Sequence, residues 1–358
     1  MNKTINVLLT AIGAPGGPSV IQSLRENKDI RITGTDMRDY VLSKYLVDAF
    51  YTVPSGRSEE YIKNIKQIVK QEDVKVILPA ATYELNILSR HKNELRDIGT
   101  EVCVSDEKGI DIANNKFLLY EHFKNENFVP RYYSPSNFAE LEESITKLGF
   151  PEKRTVIKPF VSHGSIGFRI IDDSLDLSQR YWEEKPNSTY INSEILKLIF
   201  KDNSIQNLLA TEYLSGAEYG VDLFIDPVTH KALCGIVRNN GEVFHSEVSF
   251  GELVDAPELL KTAIRIAEEL KLSYCINLDF KLDDNNEIKL LEINPRMPAT
   301  AFLGTSIGIN FPLMSVQAAL GETPTFNNEL KGNNSYKIFS YRGFAVTKDG
   351  AIIKHVIQ

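Results

Sequence analysis

The amino-acid sequence predicts an α/β protein in which a parallel sheet covered by helices precedes a second region of mixed strands and helices. Three observations predict it. Strand-like and helix-like segments alternate through the first third, a glycine-rich loop joins two strands in the middle, and a hairpin with acidic side chains follows in the last third. Alternation is typical of parallel sheets, because each crossover between parallel strands needs a helix that covers the sheet.

The first third supplies the alternation. Ile5–Thr10, Ile30–Asp36 and Val74–Pro79 are apolar runs of strand length. Ser19–Asn27 and Glu59–Gln71, which lie between them, have the apolar spacing of helices. We therefore expect a parallel sheet covered by helices in this part of the chain.

Length and composition limit the class of protein. The chain has 358 residues, more than the roughly 250–300 that one hydrophobic core accommodates, so two or three lobes are expected. Its formal net charge of -8 disfavours a nucleic-acid partner, because such a partner needs a basic face. No window supplies the about 20 apolar residues of a membrane helix, and the three scattered cysteines indicate neither a zinc site nor disulfides. We expect a cytoplasmic protein without a membrane partner.

A hairpin with acidic side chains is the most informative stretch. The strand-like runs Cys275–Leu282 and Glu287–Ile293 flank the sequence Asp-Asp-Asn-Asn, which favours a turn. Side chains alternate between the two faces of a strand. Asp279, Glu292 and Asn294 therefore share a face, opposite to the apolar residues of the hairpin.

This acidic face has the chemistry of a metal site. Two neighbouring carboxylates repel each other, and a hard divalent ion removes the repulsion. Carboxylate and amide oxygens suit Mg²⁺ or Mn²⁺, and Mg²⁺ commonly binds one or two carboxylates together with nucleotide phosphates. Arg296 follows the second strand, where a guanidinium group can bind a carboxylate or a phosphate through two parallel hydrogen bonds.

A lysine and a glycine-rich loop are the second candidate element. The strand Arg154–Pro159 contains Lys158, and the loop Ser162–Gly167 follows it. Glycines allow backbone N–H groups to turn toward an anion, and a lysine adds a positive charge. The loop does not match the GxxxxGK[ST] pattern of a P-loop. His163 within it is better explained as a loop residue than as a catalytic base.

The stretch that follows Leu208 is the third candidate element. Glu212 and Glu218 could accept hydrogen bonds from an adenine amino group and from ribose hydroxyls. The backbone of Tyr213 and Leu214 could contact the edge of the adenine. Taken alone, however, this stretch is better explained by surface glutamates without a binding role.

Together and in this order, the three elements resemble the ATP-grasp superfamily, and within it the branch of the carbamoyl-phosphate synthase large chain and biotin carboxylase. The matching run covers about Asn114 to Gly308, and the first third is similar to the parallel-sheet domain that precedes the ATP-grasp fold in that family. The resemblance implies four segments: 1–112 for that first domain, 113–210 for a linker helix and a lid, 211–325 for a C-terminal subdomain with the metal site, and 326–358 for an extension.

The resemblance also implies roles for individual residues. The residues that would contact ATP are Lys116, Lys158, Ser162, His163, Gly164, Ser165, Gly167, Glu212, Tyr213, Leu214 and Glu218. The residues that would bind two ions of Mg²⁺ or Mn²⁺ are Asp279, Glu292 and Asn294. The catalytic residues beside the transferred phosphate would be Arg296 and Arg238. The sequence departs from the family at Asn115, where relatives often have aspartate, and it lacks a second arginine after Arg238.

The resemblance implies an ADP-forming ligase that activates a carboxylate as an acyl phosphate and joins it to an amine or a thiol. Its partners would be a small carboxylate and a small amine, and a homodimer is the default assembly. A carboxylate or carbamate kinase and a non-catalytic ATP-binding regulator are the alternatives. A nicotinamide-dependent oxidoreductase is disfavoured, because the glycines at 13–17 do not match GxGxxG.

Overall fold

A computed structural model gives the structure of this chain in two compact units. Unit 1 comprises Met1–Asp111, Tyr219–Leu278 and Ile293–Gln358, and unit 2 comprises Ile112–Glu218 and Asp279–Glu292. The residues that the structure describes are 4–162, 164–183, 188–201, 204–244, 247–326, 337–339, 345–346 and 352–353.

The first 111 residues of unit 1 build a five-stranded sheet. Its strands are β1 (Ile5–Leu9), β2 (Ile30–Asp36), β3 (Ala49–Thr52), β4 (Val76–Leu78) and β5 (Glu101–Val102). They lie in the order β3-β2-β1-β4-β5, and every neighbouring pair is parallel. The predicted parallel sheet is therefore confirmed.

Helices connect these strands as the alternation predicts. They are α1 (Gly17–Leu24), α2 (Tyr61–Gln71), α3 (Leu85–Arg90), α4 (Lys92–Asp97) and α5 (Glu107–Asn114), with 3₁₀ turns at Leu42–Leu46 and Thr82–Glu84. The apolar stripe of α2 explains its position, since Ile65 and Val69 are buried against the same cluster as Ile77 of β4.

Unit 2 contains a smaller sheet. In chain order its elements are α6 (Lys116–His122), β6 (Tyr132–Tyr133), α7 (Phe138–Lys147), β7 (Thr155–Pro159), β8 (Arg169–Ile171), α8 (Leu177–Glu183), β9 (Tyr190–Ile191), α9 (Ser193–Phe200) and β10 (Leu208–Glu212). The strand order is β6-β10-β7-β8-β9. Leu141 and Ile145 of α7 pack against Ile157 and Ala210 of the sheet, which fixes the face that α7 covers.

The remaining elements complete the chain. They are β11 (Glu218–Ile225), β12 (Ala232–Phe244), β13 (Glu247–Leu253), α10 (Pro257–Glu269), β14 (Tyr274–Leu282), β15 (Ile288–Asn294), α11 (Ala301–Ser306), α12 (Phe311–Ala319), β16 (Lys337–Phe339), β17 (Ala345–Val346) and β18 (Ile352–Ile353). One sheet has the order β15-β14-β11-β12-β13-β16, and β17 pairs with β18. The chain passes from one unit to the other within β11, β14 and β15.

The acidic hairpin has the predicted form. The N–H of Asp283 donates to the carbonyl of Glu287 at 3.0 Å, so the turn lies between β14 and β15 where the Asp-Asp-Asn-Asn sequence places it. Leu278, Phe280 and Ile293 are buried. The three predicted metal ligands, by contrast, are half-buried: Asp279, Glu292 and Asn294. The alternation of faces therefore holds at the positions that carry the prediction.

Candidate active site

Two lysines and a glutamate form a cluster in unit 2. Lys116 is the first residue of α6, and the side chain of Asn115 caps this helix by accepting hydrogen bonds from two N–H groups of its first turn. The Nζ atom of Lys116 lies 2.9 Å from Oε2 of Glu292 and 3.5 Å from Oγ of Ser162. Asparagine here keeps the capping role that aspartate would have, without adding a negative charge beside the lysine.

The second lysine of the cluster is held by a tyrosine that the sequence did not single out. The Nζ atom of Lys158 donates to the hydroxyl of Tyr120 at 2.9 Å. That hydroxyl directs its own proton toward the carbonyls of Leu290 and Leu291, which lie 3.2 and 2.9 Å away. Tyr120 stands four residues after Lys116 on α6, a spacing that puts both on one side of the helix and could have indicated it.

The charges of this cluster are unbalanced. The pKa of Lys158 is lowered to about 7, first by burial and then by the neighbouring charge of Lys116, while Glu292 partly opposes both effects. Burial and the charge of Glu292 also raise the pKa of Tyr120, so its hydroxyl stays neutral. A buried lysine that is only partly charged at neutral pH regains its charge when an anion arrives. The cluster is therefore suited to receive a negatively charged group.

The loop after β7 has the backbone of an anion-binding turn. Gly164, Ser165 and Gly167 have φ values of +58°, +59° and +80°, in the left-handed region. A Cβ atom on Gly167 would lie 2.5 Å from Cγ of Pro159, so this position requires glycine for space as well as for conformation. His163 lies outside the described residues. Left-handed residues that alternate with right-handed ones can turn successive N–H groups toward one side, where an anion can bind.

The structure separates the Glu212 side chain from Lys158. In the pairing of β10 with β7, Leu209 lies opposite Lys158 and Glu212 lies opposite Thr155, so the two charged side chains point to different faces of the sheet. The Glu212 carboxylate instead accepts hydrogen bonds from the backbone N–H and from Nε of Arg131, both at 2.8 Å. The Glu212 carboxylate is thus paired with Arg131 on the face away from Lys158, and its contact with adenine stays a prediction.

A cavity of about 500 Å³ adjoins the Glu212–Arg131 pair. Its lining includes Lys153, Arg154 and Tyr213. Every lining residue belongs to unit 2. The Glu212 carboxylate is turned toward this cavity. On the Lys158 face, a contact with adenine would therefore come from the backbone of Tyr213 and of Leu214.

Two further predicted residues of unit 2 lie on neighbouring strands. Glu218 begins β11, and its Oε2 atom lies 3.9 Å from Nζ of Lys281. Lys281 follows Asp279 by two residues on β14, so both side chains leave that strand on the same side. Glu218 is therefore placed near the side of β14 from which Asp279 projects.

Unit 1 holds Arg238 in a buried ion pair. Its Nε and Nη2 atoms each lie 3.4 Å from an oxygen of Asp222, a carboxylate with no exposed surface. Arg238 also donates to the side chain of Asn240. Asp222 accepts further hydrogen bonds from Asn277 at 2.9 Å and from Thr300 at 3.2 Å. The carboxylate is thus satisfied from three sides, as a buried charge requires.

The same network continues to the other predicted residues of unit 1. Nδ2 of Asn294 donates to Oδ1 of Asn277 at 3.2 Å. Nη2 of Arg296 lies 3.4 Å from Oδ1 of Asn294, and its Nε donates to Oγ1 of Thr82 at 3.3 Å. Asp222 and Asn277, which the sequence analysis missed, therefore link the two candidate arginines. Asn277 could have been found, because it precedes Asp279 by two residues on the same strand.

The donor set fits a hard divalent cation. In unit 2, Asp279 and Glu292 supply carboxylates, which are donors that Mg²⁺ binds. In unit 1, the side-chain nitrogen of Asn294 donates to Asn277, and its oxygen lies 3.4 Å from Nη2 of Arg296. Among the described residues, no group of three or more His, Cys, Asp and Glu side chains could hold a metal. Two carboxylates would leave most of a coordination sphere to water and phosphate oxygens.

Two family models match the chain. Residues 204–338 match the family described as ATP-grasp in the biosynthetic pathway with Ter operon. Residues 7–103 match the family described as PylC-like, N-terminal domain. Both matches agree with the resemblance and with the order of the two domains.

The chain is also similar to curated and solved proteins. The C-terminal section of the carbamoyl phosphate synthase large chain from Aquifex aeolicus is 26% identical over 271 residues, which is 74% of this chain and 47% of that protein. This chain therefore spans about half the length of that curated relative. N5-carboxyaminoimidazole synthetase from Staphylococcus aureus, solved with ADP, has a TM-score of 0.66 at 15% identity, covering 91% of this chain and 80% of that one.

A third comparison extends over almost the whole chain. The L-amino acid ligase from Bacillus licheniformis has a TM-score of 0.65 at 14% identity, with 96% of this chain and 82% of that chain covered. The predicted fold class, an ATP-grasp fold preceded by a parallel-sheet domain, is confirmed, as is the resemblance to the carbamoyl-phosphate synthase branch. None of the helices formed by described residues is long and apolar enough to cross a bilayer.

Proposed function

We propose that this chain is an ATP-dependent ligase that activates a carboxylate as an acyl phosphate and transfers the acyl group to an amine, with release of ADP and phosphate. The observation that carries the proposal is the cluster of Lys116, Lys158 and Glu292 beside the left-handed loop after β7. Its excess positive charge suits a triphosphate, and the loop adds backbone donors for the same group.

The first step is a phosphoryl transfer. An oxygen of the substrate carboxylate attacks the γ-phosphorus, the bond to the β,γ-bridging oxygen breaks, and ADP leaves with the electron pair. Lys116 and Lys158 stabilise the negative charge on the phosphates, and Arg296 and Arg238 stand as the candidate partners of the carboxylate and of the transferred group. Magnesium, held by Asp279, Glu292 and Asn294, would supply Lewis-acid stabilisation of the phosphate oxygens.

The second step forms the new bond. The amine nitrogen attacks the carbonyl carbon of the acyl phosphate, the C–O bond to phosphate breaks, and the nitrogen loses a proton to water. No side chain has to act as a nucleophile, so positioning and electrostatic stabilisation provide the catalysis. The likenesses to a carbamoyl phosphate synthase section and to an amino acid ligase support this class of chemistry.

Release of ADP over a panel of carboxylates and amines tests the proposal. We expect ADP to form only when a particular carboxylate and a particular amine are both present with Mg²⁺, and the amide to appear in equal amount. Hydroxylamine in place of the amine should give a hydroxamate, because it traps an acyl phosphate. An acyl phosphate that accumulates without any amine requirement would establish the kinase alternative instead. Nucleotide binding without turnover over the whole panel would favour the regulator.

A further inference from the structure

One tyrosine joins three elements of unit 2. The hydroxyl of Tyr120, on α6, accepts a hydrogen bond from Nζ of Lys158, on β7, at 2.9 Å. The same hydroxyl lies 3.2 and 2.9 Å from the carbonyl oxygens of Leu290 and Leu291 on β15. All of these residues belong to unit 2. The hydroxyl therefore connects the lysine directly to the backbone of the strand that carries Glu292.

The chemistry of the partners gives these hydrogen bonds a direction. A carbonyl oxygen only accepts, so the single proton of the Tyr120 hydroxyl is directed to the carbonyls of β15. The lone pairs of the hydroxyl oxygen are then left for Lys158, whose ammonium group only donates. The pKa of Tyr120 is raised, first by burial and then by the charge of Glu292, so the phenol keeps its proton. In this arrangement Tyr120 has no proton for a phosphate, and its effect on a nucleotide passes through Lys158.

The lysine needs a fixed acceptor, because its side chain is long and flexible. Lys158 and Tyr120 are both buried, with 6% and 0% of their surface exposed. A buried charged group is stable only when it is hydrogen-bonded. An ammonium group has three protons, so the one donated to Tyr120 leaves two for other oxygens. The tyrosine can therefore orient Nζ without occupying the protons that a phosphate would receive.

Packing holds the ring that carries this hydroxyl. The ring of Tyr120 lies against the ring of Tyr132, with the two centres 5.3 Å apart. The hydroxyl of Tyr132 has a different partner, since it donates to Glu121 at 2.7 Å. The two neighbouring tyrosines thus share their packing and differ in what their hydroxyls contact, which makes Tyr132 a matched control for Tyr120.

We propose that Tyr120 is a positioning residue for the nucleotide: its hydroxyl holds Nζ of Lys158 in the direction in which the lysine binds a phosphate group. The inference rests on the proposed function, because it takes Lys158 as a contact of the nucleotide phosphates. It adds the residue through which α6 and β15 set the place of that contact. Such preorganisation lowers the cost of ordering a flexible side chain when the ligand binds.

Calorimetric titration of the full chain with Mg²⁺ tests the proposal. The probes are adenosine, AMP, ADP and a non-hydrolysable ATP analogue. Lys158→Met identifies the probes whose binding depends on the lysine. Tyr120→Phe should weaken the same probes, by about tenfold, because hydrogen bonds to charged groups are stronger than neutral ones. Adenosine carries no phosphate, so it should bind the parent and both variants alike.

A double variant separates positioning from a structural role. If Tyr120 acts through Lys158, Tyr120→Phe should change the affinity for the ATP analogue by less than about twofold in the Lys158→Met background. A residue that only supports the fold would instead weaken binding by the same factor in both backgrounds. It would also weaken adenosine.

Two control variants match the two substitutions. Tyr132→Phe removes the neighbouring hydroxyl, which contacts Glu121, and should bind every probe as the parent does. Lys147→Met removes a lysine of unit 2 that is 52% exposed, and it controls for the change in net charge. Urea unfolding of each variant establishes that it is folded under the conditions of the titration, and Tyr120→Phe keeps the buried ring.

The proposal is overturned if Tyr120→Phe binds the ATP analogue as the parent does, if adenosine is weakened equally, or if the loss is the same in the Lys158→Met background. It is also overturned if Lys158→Met itself binds every probe as the parent does. These titrations require no turnover, so they separate the two proposals. The expected pattern in a chain that never releases ADP would refute the ligase and retain the role of Tyr120. Substrate-dependent ADP release with unchanged binding by Tyr120→Phe would do the opposite.

Discussion

The buried positive charges of the candidate residues are balanced differently in unit 1 and in unit 2. In unit 1, Arg238 is buried beside Asp222, whose carboxylate also accepts hydrogen bonds from Asn277 and Thr300. In unit 2, Lys158 is buried beside another lysine and has its pKa lowered to about 7. The first arrangement is complete without a ligand. The second is completed only when an anion adds the missing negative charge, which is the property expected of a triphosphate site.

The largest expected effect concerns the Glu292 carboxylate, which pairs with Lys116 and is also a predicted metal ligand. Glu292→Ala should lower substrate-dependent ADP release by at least about 10²–10³-fold, since it removes the predicted metal ligand and the partner of Lys116. Circular dichroism and thermal unfolding should show an intact fold. Glu287→Ala, which removes an exposed glutamate of the same hairpin, is the matched control and should keep the parent's rate. Normal turnover of Glu292→Ala with Mg²⁺ would refute the metal assignment.

The second prediction tests whether Asp222 is the group that balances the charge of Arg238 in unit 1. Asp222→Ala leaves the buried Arg238 without its carboxylate, and breaking such a pair costs about 3–5 kcal/mol. Urea unfolding measures this as a lower free energy of unfolding. Asp222→Asn keeps the shape of the side chain but replaces one accepting oxygen with a donating NH2 group, so it removes the charge and one acceptor without leaving a cavity. A free energy within about 1 kcal/mol of the parent for Asp222→Ala would show that Arg238 is compensated by other groups.

The third prediction uses the lowered pKa of Lys158 to test whether unit 2 awaits an anion. A bound triphosphate favours the charged lysine and therefore raises its pKa above the value of about 7 in the free protein. Binding then takes up a proton above pH 7, and the affinity for a non-hydrolysable ATP analogue falls as the pH rises, by up to about tenfold per pH unit.

Calorimetry in buffers of different ionisation enthalpy measures that proton uptake. Lys158→Met should abolish both the uptake and the corresponding part of the pH dependence. Lys63→Gln, which changes an exposed lysine of unit 1, should preserve both. An affinity that does not change between pH 7 and 9 in the parent would mean that Lys158 stays charged without the nucleotide.

The smallest effect is expected where a charged pair is solvent-exposed. Arg131, whose side chain is 59% exposed, pairs with Glu212. Arg131→Ala should lower the free energy of unfolding by only about 0.2–1 kcal/mol, because water and salt screen such pairs. It should leave the affinity for the ATP analogue unchanged, since the Glu212 carboxylate points away from the face of Lys158. A large loss of nucleotide affinity would support the predicted contact of Glu212 with adenine.

Local sequence patterns predicted most of the strands. β2 has the predicted bounds, and β1 and β14 differ from the predicted bounds by one residue at one end. Long-range pairing determined other strands. β12 extends to Phe244, because β13 pairs with its polar second half. A strand that is stabilised by its partner need not show apolar alternation of its own.

The candidate residues were predictable where a motif carries the chemistry locally. Lys116 was predicted to contact ATP and Glu292 to contact the metal, and the two form an ion pair. Asp222 was missed, because an aspartate in a strand has no local signature of the groups that it contacts, and Tyr120 was missed although its spacing from Lys116 could have indicated it. Glu212 was assigned from its residue type and from the resemblance, and the register of β10 against β7 turns its side chain away from the face of Lys158.

The sequence alone determined the parallel sheet, the glycine-rich loop and the acidic hairpin, since the periodicity of apolar residues and the chemistry of turns act over a few neighbouring residues. Only the tertiary structure decided which side chains contact each positively charged group: Tyr120 contacts Lys158, Asp222 contacts Arg238, and Tyr83 contacts Arg57. The first two contacts join residues that are 38 and 16 positions apart in the sequence. Their energies depend on burial and distance, which the folded chain sets and the order of residues does not display.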